Sequence, residues 1–409
     1  MCNAPVEHLS SGAVAPLGPA PQSASRTDVY QLFRNRGSAL PDAIAIEDSD
    51  ERTTYAALLC RVDQLAGHFA ELDLNAGERI AVLSRNRREY VEVQLAAAAT
   101  GLIVACLNWR LLAAELRHCV TLVSPRLIIT ELDLQELLDQ TPNIPTLTLG
   151  REYEAALTQA PHFTPFPQDP ENGLVILYTS GTTGLPKGAV LSHRAMIARA
   201  TVFAAELGLA PTDAFVAWAP MFHMASTDHA LSTLLRGGTV VMIDGYDPDA
   251  ICRSIETHRI GWLVLIPGMI ESFIAHVKEK GITPIGIRVC GAMADLVPPN
   301  QISEITTLLN APYLNSFGST ETGLPPATRT TIPISVAPQT LSKQISAFCE
   351  IRLVDETDQD VPVGTPGELL MRGPTLFSGY WNDDATNTEA FRDGWFHLGD
   401  VFRRNADGT

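Results

Sequence analysis

Short apolar runs and longer amphipathic stretches alternate along most of this chain. Arg79–Leu83, Leu102–Leu107 and Leu127–Thr130 read as strands. The intervening Tyr55–Leu72, Arg88–Thr100 and Ala113–Val123 keep a helical spacing of apolar positions. Asp28–Arg36 reads as a short amphipathic helix, and Ala43–Glu47 with Arg52–Thr54 as a hairpin. Beyond two further apolar runs, Gly173–Leu177 and Ala189–Leu191, the alternation resumes. It predicts helices at His193–Leu207, Ser226–Arg236, Asp249–His258, Met269–Lys280 and Pro299–Leu309. The strands between them are Ala214–Trp218, Thr239–Ile243, Trp262–Ile266 and Ile287–Cys290. The rhythm predicts an α/β protein with two doubly wound α/β subdomains packed together, residues 28–190 and 191–339.

From residue 340 the pattern changes. Gln344–Val354, Gly367–Met371 and Trp395–Phe402 are strand-like and punctuated by Pro and Gly. They predict a small β-barrel-like subdomain over 340–409. Residues 1–27 are rich in Ala, Pro, Ser and Gly, and disorder is expected there. The chain stops just after Asp407-Gly408, a turn signal, so it reads as a hairpin cut in half and a truncated chain.

Composition narrows the function. A chain of 409 residues, 45% hydrophobic, can bury a large core. Its net charge of −17 argues against general nucleic-acid binding. The seven scattered cysteines include no C-x-x-C, which fits reduced thiols in a cytoplasm. The most apolar stretch, Leu95–Leu107, is too short for a membrane span.

Lysine is scarce, which singles out Lys187. It closes the run Thr179-Ser180-Gly181-Thr182-Thr183-Gly184-Leu185-Pro186-Lys187-Gly188. Glycines let backbone N–H groups approach an anion, small hydroxyls add donors without bulk, and an ammonium neutralises charge. The run therefore suits a polyphosphate. It does not follow the Walker spacing G-x-x-x-x-G-K-[ST].

This loop resembles the phosphate loop of the acyl-adenylate-forming superfamily, which includes acyl- and aryl-CoA ligases, peptide-synthetase adenylation domains and beetle luciferases. Further segments resemble that family in order: Ala219-Pro220-Met221-Phe222-His223, Cys290-Gly291-Ala292 and Asn315-Ser316-Phe317-Gly318-Ser319-Thr320-Glu321. Gly364–Leu369, Gly379-Tyr380-Trp381 and Gly394–Asp400 continue the series. The resemblance implies ATP-dependent activation of a carboxylic acid as an acyl-adenylate, with Mg²⁺, and then thioester formation with CoA. It implies that the loop from Thr179 to Lys187 holds the β- and γ-phosphates. Thr320 would contact the α-phosphate and Glu321 would bind the metal. Asp400 would accept the ribose hydroxyls. Phe317 would stack on adenine, with Gly291 and Ala292 on the other face and Asn315 at its edge, and Gly318 is a further implied cofactor-binding residue. Lys187, His223, Thr320 and Glu321 are the implied catalytic residues.

Some positions depart from the family pattern. Phe317 stands where Tyr is usual, and Leu398 where Thr is usual. The family's hinge and its C-terminal domain with a further lysine have no counterpart, so little turnover is expected of this chain alone. The acyl pocket is expected near Phe203, His223, Met224, Ala225, Ile266, Pro267 and Met293. The acyl segment has no acid before Asp228, which favours a plain carboxylic acid over an amino acid. A benzoate or aminobenzoate is the first expectation and a medium-chain fatty acid the second. A carrier protein in place of CoA, and a non-catalytic nucleotide-binding homologue, are the alternatives. A metal cluster at His223, Asp228 and His229 is disfavoured, because its spacing matches no zinc pattern.

Overall fold

The computed structural model describes residues 26–48, 51–179 and 184–409. The disorder expected of the N-terminal tail lies outside the described residues but for its last two positions. The elements run α1 (Val29–Ala39), β1 (Ile44–Asp48), β2 (Glu51–Thr54), α2 (Tyr55–Glu71), β3 (Arg79–Leu83), α3 (Arg88–Thr100) and β4 (Ile103–Cys106). Next come α4 (Ala113–Val123), β5 (Leu127–Thr130), β6 (Thr146–Thr148), α5 (Arg151–Gln159), β7 (Gly173–Thr179) and β8 (Lys187–Ser192). The second half continues with α6 (His193–Leu207), β9 (Ala214–Ala217), α7 (Met224–Arg236), β10 (Val240–Met242), α8 (Pro248–Thr257) and β11 (Ile260–Leu263). Then follow α9 (Ile270–Lys280), β12 (Ile287–Cys290), α10 (Pro299–Leu309), β13 (Tyr313–Leu314), β14 (Phe317–Ser319), β15 (Gly323–Ala327) and β16 (Thr331–Ile332). The last part holds β17 (Glu350–Val354), β18 (Pro366–Arg372), α11 (Asp384–Ala390), β19 (Phe391–Arg392) and β20 (Trp395–Arg403).

The first large sheet has the order β6-β5-β3-β4-β7-β8 and is parallel except at β8. Strands β4 and β5 are buried along their whole length, as helices on both faces require. The second sheet has the order β16-β13-β12-β11-β9-β10-β1-β2, parallel inside and antiparallel at both ends. The α/β reading holds. The hairpin β1–β2, however, does not belong with the sheet of its sequence neighbours. Ile46 pairs with Val240, so the hairpin extends the second sheet. Its apolar face is covered there, and the chain crosses between sheets rather than dividing once at residue 190.

Helix α3 is the centre of the molecule. It packs against β4 and β7 of one sheet and β1 of the other. Every residue from Glu89 to Thr100 is buried. A helix with neighbours on all sides has no solvated face, which explains its run of Ala residues. Its buried Glu92 is paired by Arg61 at 2.6 Å and Arg88 at 3.0 Å, and accepts a hydrogen bond from the Tyr153 hydroxyl at 2.8 Å. Gln94 donates to Thr227 on α7 at 3.0 Å, which joins the two halves.

The third sheet, β17-β18-β20-β19, is antiparallel and carries the end of the chain. Its first strand begins at Glu350, later than the pattern predicts, because Ser346 and Ala347 are held by the carboxylate of Glu206 on α6. No helix among the described residues is long and apolar enough to cross a membrane.

Candidate active site

A cleft of about 1400 Å³ opens where the three large sheets and the two-stranded sheet β14–β15 converge. Its walls include residues at or just after the C-terminal ends of parallel strands: Thr179 of β7, Val264 beyond β11, Ala292 beyond β12 and Ser316 beyond β13. Backbone N–H groups and loop side chains collect at such ends, which is why open α/β sheets bind ligands there.

One end is built around β8. Thr179 and Lys187 are cross-strand partners, so both side chains enter the cleft beside the loop that connects them. Ser180, Gly181, Thr182 and Thr183 lie outside the described residues. Gly184 has φ +103, a conformation that suits glycine. The outer edge of β8 is covered by residues 378–381. Ser378 donates to Val190 at 2.8 Å, Val190 to Gly379 at 3.0 Å, and Trp381 to Gly188 at 2.8 Å. This strap sets the Tyr380 ring 5.2 Å from the Lys187 ammonium, a cation–π contact.

Tyr380 links that end to the middle of the cleft. Its hydroxyl donates to Glu321 Oε1 at 2.9 Å, and the Phe377 N–H donates to the Glu321 carbonyl at 2.8 Å. Burial, then the Glu321 charge, raise the Tyr380 phenol far above its ordinary range. The phenol therefore stays a donor. Among the described residues, Glu321 Oε2 accepts no hydrogen bond. Asp400 stands close enough that burial and the charge of Glu321 raise its pKa. Glu321 thus presents a free carboxylate oxygen to a polar cleft, with the Asp400 charge nearby, and such an oxygen fits a hard cation such as Mg²⁺.

Asp400 is exposed and stands just beyond Gly399, a residue of the cleft wall, without lining the cleft itself. The Gly399 N–H donates to Glu368 Oε1 at 3.2 Å. Glu368, His397 and Asp358 bring ligand atoms within 4.8 Å of one another. Arg392 reaches into this group, 2.8 Å from His397 Nδ1 and 3.2 Å from Asp358. Its guanidinium already supplies the positive charge, so the cluster reads as an anchor for the Gly399 turn.

The other end is apolar. Met224, Ala225, Trp262, Val264, Ile266 and Met293 line it, with His223 at the rim. His223 caps α7: its Nδ1 accepts the Ala225 N–H at 3.1 Å, so the helix begins at Met224, earlier than the pattern predicts. The imidazole is reachable from the cleft, but the walls restrict water, and desolvation lowers its pKa against an opposing pull from Asp228. It is therefore neutral near pH 7. The loop before it is held by Asn86, whose Nδ2 donates to three carbonyls, those of Ala217, Ala219 and Ile243, and whose Oδ1 accepts the Met221 N–H at 2.8 Å.

Four residues expected at the walls do not line the cleft. Phe203 does not face the cleft; it lies behind Trp262 with ring centroids 5.4 Å apart and lines a separate small cavity with Arg199, Asp228 and His229. The large indole intervenes because its N–H is tied to the Gly291 carbonyl at 2.9 Å. Pro267 is half-buried and off the wall that its neighbour Ile266 lines. Asn315 is buried and its amide is already committed: Nδ2 donates to the carbonyls of Leu341 and Ser342, and Oδ1 accepts from Lys343. Gly291 also sits behind the wall, where a Cβ would stand 2.1 Å from the Tyr313 ring.

Phe317, Gly318, Thr320 and Glu321 do meet on one stretch of wall. Phe317 rests edge-on against Phe402, centroids 4.7 Å apart. His223 and His229 point apart; His229 is buried among Phe203, Phe215 and Trp262. Tyr380, Trp262, Val264 and Asn86 were not legible as site residues. Only Tyr380 sits in a recognisable segment, Gly379-Tyr380-Trp381.

The family model described as AMP-binding enzyme matches residues 33–381. A feruloyl-CoA synthase from Amycolatopsis sp is 30% identical over 384 residues, 91% of this chain and 75% of that protein. An indoleacetate–CoA ligase from Aromatoleum aromaticum is 29% identical, covering 90% of this chain and 74% of the relative. Among solved structures, o-succinylbenzoate CoA synthetase from Bacillus subtilis, in complex with its acyl-adenylate intermediate, superposes with a TM-score of 0.82 at 22% identity. That match covers 94% of this chain and 77% of the other, and shows a shared fold. The chain belongs to the AMP-binding enzyme family.

Proposed function

From membership of the AMP-binding enzyme family, we propose that the cleft activates an aromatic carboxylic acid with ATP and passes the acyl group to CoA. A carboxylate oxygen of the acid attacks the α-phosphorus of ATP, a P–O bond forms, and pyrophosphate leaves. The thiol sulfur of CoA then attacks the acyl carbon, and AMP leaves. The observation that carries this reading is the single cleft joining a cationic end, a carboxylate centre and an apolar end.

Each zone suits one part of the chemistry. Lys187 offers positive charge where the β- and γ-phosphates would leave, beside the backbone of the β7–β8 connection. Glu321, Thr320 and Asp400 would serve the metal, the α-phosphate and the ribose. Mg²⁺ bound at Glu321 would supply charge neutralisation, which the chain's own cations near that residue do not. Tyr380 fixes the direction of the Glu321 carboxylate. Neutral His223 at the rim of the apolar end has its Nδ1 occupied by the Ala225 N–H, so its proton sits on Nε2, from which it can donate one hydrogen bond to the acid and orient it.

An aromatic acid is favoured by the wall itself. The Trp262 face and the side chains of Met224, Val264 and Met293 offer flat and polarisable contacts with no second charge. Relatives named for feruloyl, indoleacetate and 2-succinylbenzoate activation support the same class.

Calorimetry with non-hydrolysable acyl-sulfamoyl adenosines tests this. The benzoyl or feruloyl compound is expected to bind at least about tenfold more tightly than AMP or the octanoyl compound. Equal affinity for AMP and every acyl compound overturns the acid-activating reading; preference for octanoyl overturns only the aromatic assignment. Exchange of labelled pyrophosphate into ATP with a panel of acids then identifies the substrate, and addition of CoA or a pantetheinyl carrier protein identifies the acceptor.

A further inference from the structure

The segment bearing Thr320 and Glu321 has few side-chain anchors of its own. It lies between the short strands β14 and β15, and its local contacts are turn hydrogen bonds from Ser319 and Thr322. From outside, the Phe377 N–H and the Tyr380 hydroxyl hold Glu321, and Arg199 of α6, a residue 4% exposed, holds Thr320. Its Nη2 donates to the Thr320 carbonyl at 2.8 Å. Its Nε donates to the Thr375 carbonyl at 3.0 Å, just ahead of the strap that carries Tyr380. Its Nη1 pairs with Asp228 Oδ2 at 2.8 Å, on the helix that His223 caps.

One guanidinium therefore touches three structures that converge on the cleft: the acyl helix α7, the Thr320–Glu321 turn and the root of the strap. The neighbouring backbone is shaped around it. Gly323 has φ +77, and a Cβ there would lie 3.0 Å from Arg199 Cγ and Nε. The stem of Arg199 thus occupies the space next to the turn. A planar, forked guanidinium spreads fixed donors over three nitrogens, whereas a lysine offers all its N–H groups from one nitrogen and cannot span the same three partners.

We infer that Arg199, held by Asp228, is a positioning residue for the Thr320–Glu321 turn and so for metal-assisted ATP binding. This rests on the proposed role of Glu321 toward Mg²⁺. The guanidinium touches no reacting atom. It fixes the backbone from which Glu321 projects, while Tyr380 fixes the carboxylate from the other side.

The test measures ATP affinity by calorimetry with and without Mg²⁺, alongside the melting temperature. Two variants separate positioning from charge balance. Arg199→Lys keeps a cation opposite Asp228 but cannot reach both carbonyls. The double variant Arg199→Met/Asp228→Leu removes the pair without stranding either charge, and such exchanges are often tolerated by folds. Both are expected to melt near the wild type and to bind ATP alone within about threefold of it, while the Mg²⁺ enhancement falls about tenfold. An enhancement within about twofold of wild type in either folded variant overturns the inference, because the turn then holds its place without the fork. Restoration of the enhancement by lysine assigns Arg199 to charge balance alone, which also overturns it. If the wild-type chain shows no Mg²⁺ enhancement, the role of Glu321 falls as well. Normal enhancement in the wild type with no loss in the variants removes only the part played by Arg199.

Discussion

The two ends of the cleft are built by different means. At the cationic end, main-chain hydrogen bonds do the positioning: β8 is paired with β7 on one side and with residues 378–381 on the other. Side chains there project from a ladder whose register is set by the pleat. At the apolar end, the wall is assembled from side chains of α7, β11 and the loops after β11 and β12. Which of them reaches the cleft depends on packing, and one indole hydrogen bond decides that Trp262 faces it while Phe203 does not. The difference teaches that the cationic end should tolerate side-chain changes structurally and fail chemically. The apolar end should respond to substitution in both stability and selectivity.

The sharpest break of this comparison is Trp262→Ala. It removes a buried indole packed on Phe203, Phe215 and His229, so unfolding free energy should fall by about 3–5 kcal/mol. It also opens the wall toward the small inner cavity, so preference should move to bulkier acyl-sulfamoyl adenosines. Denaturant titration and a ligand series measure the two effects; unchanged selectivity in a folded variant would mean that Trp262 does not bound the acyl site. Next comes Glu321→Ala at the other end. The fold should stay intact, but adenylation should drop by about 10²–10³, as for loss of one aimed electrostatic group. Calorimetry should show ATP binding that no longer responds to Mg²⁺, and a retained response would remove Glu321 from the metal site.

Acid should act through two buried imidazoles, His229 behind the apolar end and His193 directly after β8. Burial pushes His229 down to about 3 and His193 down to about 4. Both are neutral when folded and take up protons more readily when unfolded. Their contribution is complete above about pH 6.5 and declines as pH falls toward those values. Each should cost about 2 kcal/mol by pH 5, seen as a lower melting temperature. His229→Phe should flatten part of that decline; an unaltered slope would place the acid sensitivity elsewhere. The smallest change is Tyr380→Phe. It deletes one hydrogen bond to Glu321 and keeps the ring beside Lys187, so Mg²⁺-dependent ATP binding should weaken by about 1–2 kcal/mol with little change in melting temperature. A larger drop in melting temperature than in binding would make the hydroxyl a structural anchor only.

The contrast between the ends also explains what could be read from the chain. The α/β alternation was legible because each buried strand and each amphipathic helix repeats a local period. So was the glycine- and hydroxyl-rich run ending in Lys187, because backbone conformation and small donors must be written consecutively. Thr320 and Glu321, which line the cleft, likewise stand consecutively in one recognisable segment. The partners of Asn315 were not legible, since its neighbours in sequence say nothing of the carbonyls of Leu341 and Ser342 that its amide binds. The hairpin β1–β2 was assigned to the wrong sheet because strand pairing is nonlocal and Ile46 meets Val240.

The chain by itself thus determined the elements, the glycine- and hydroxyl-rich composition of one loop and the residues that must be adjacent along the backbone. Tertiary structure alone decided that Tyr380 joins Lys187 to Glu321, that Arg199 grips the Thr320 turn, and that Trp262 walls the apolar end. The physical reason is range. Backbone conformation depends on neighbours in sequence, whereas hydrogen-bond partners and packed faces depend on which distant elements the folded core brings together.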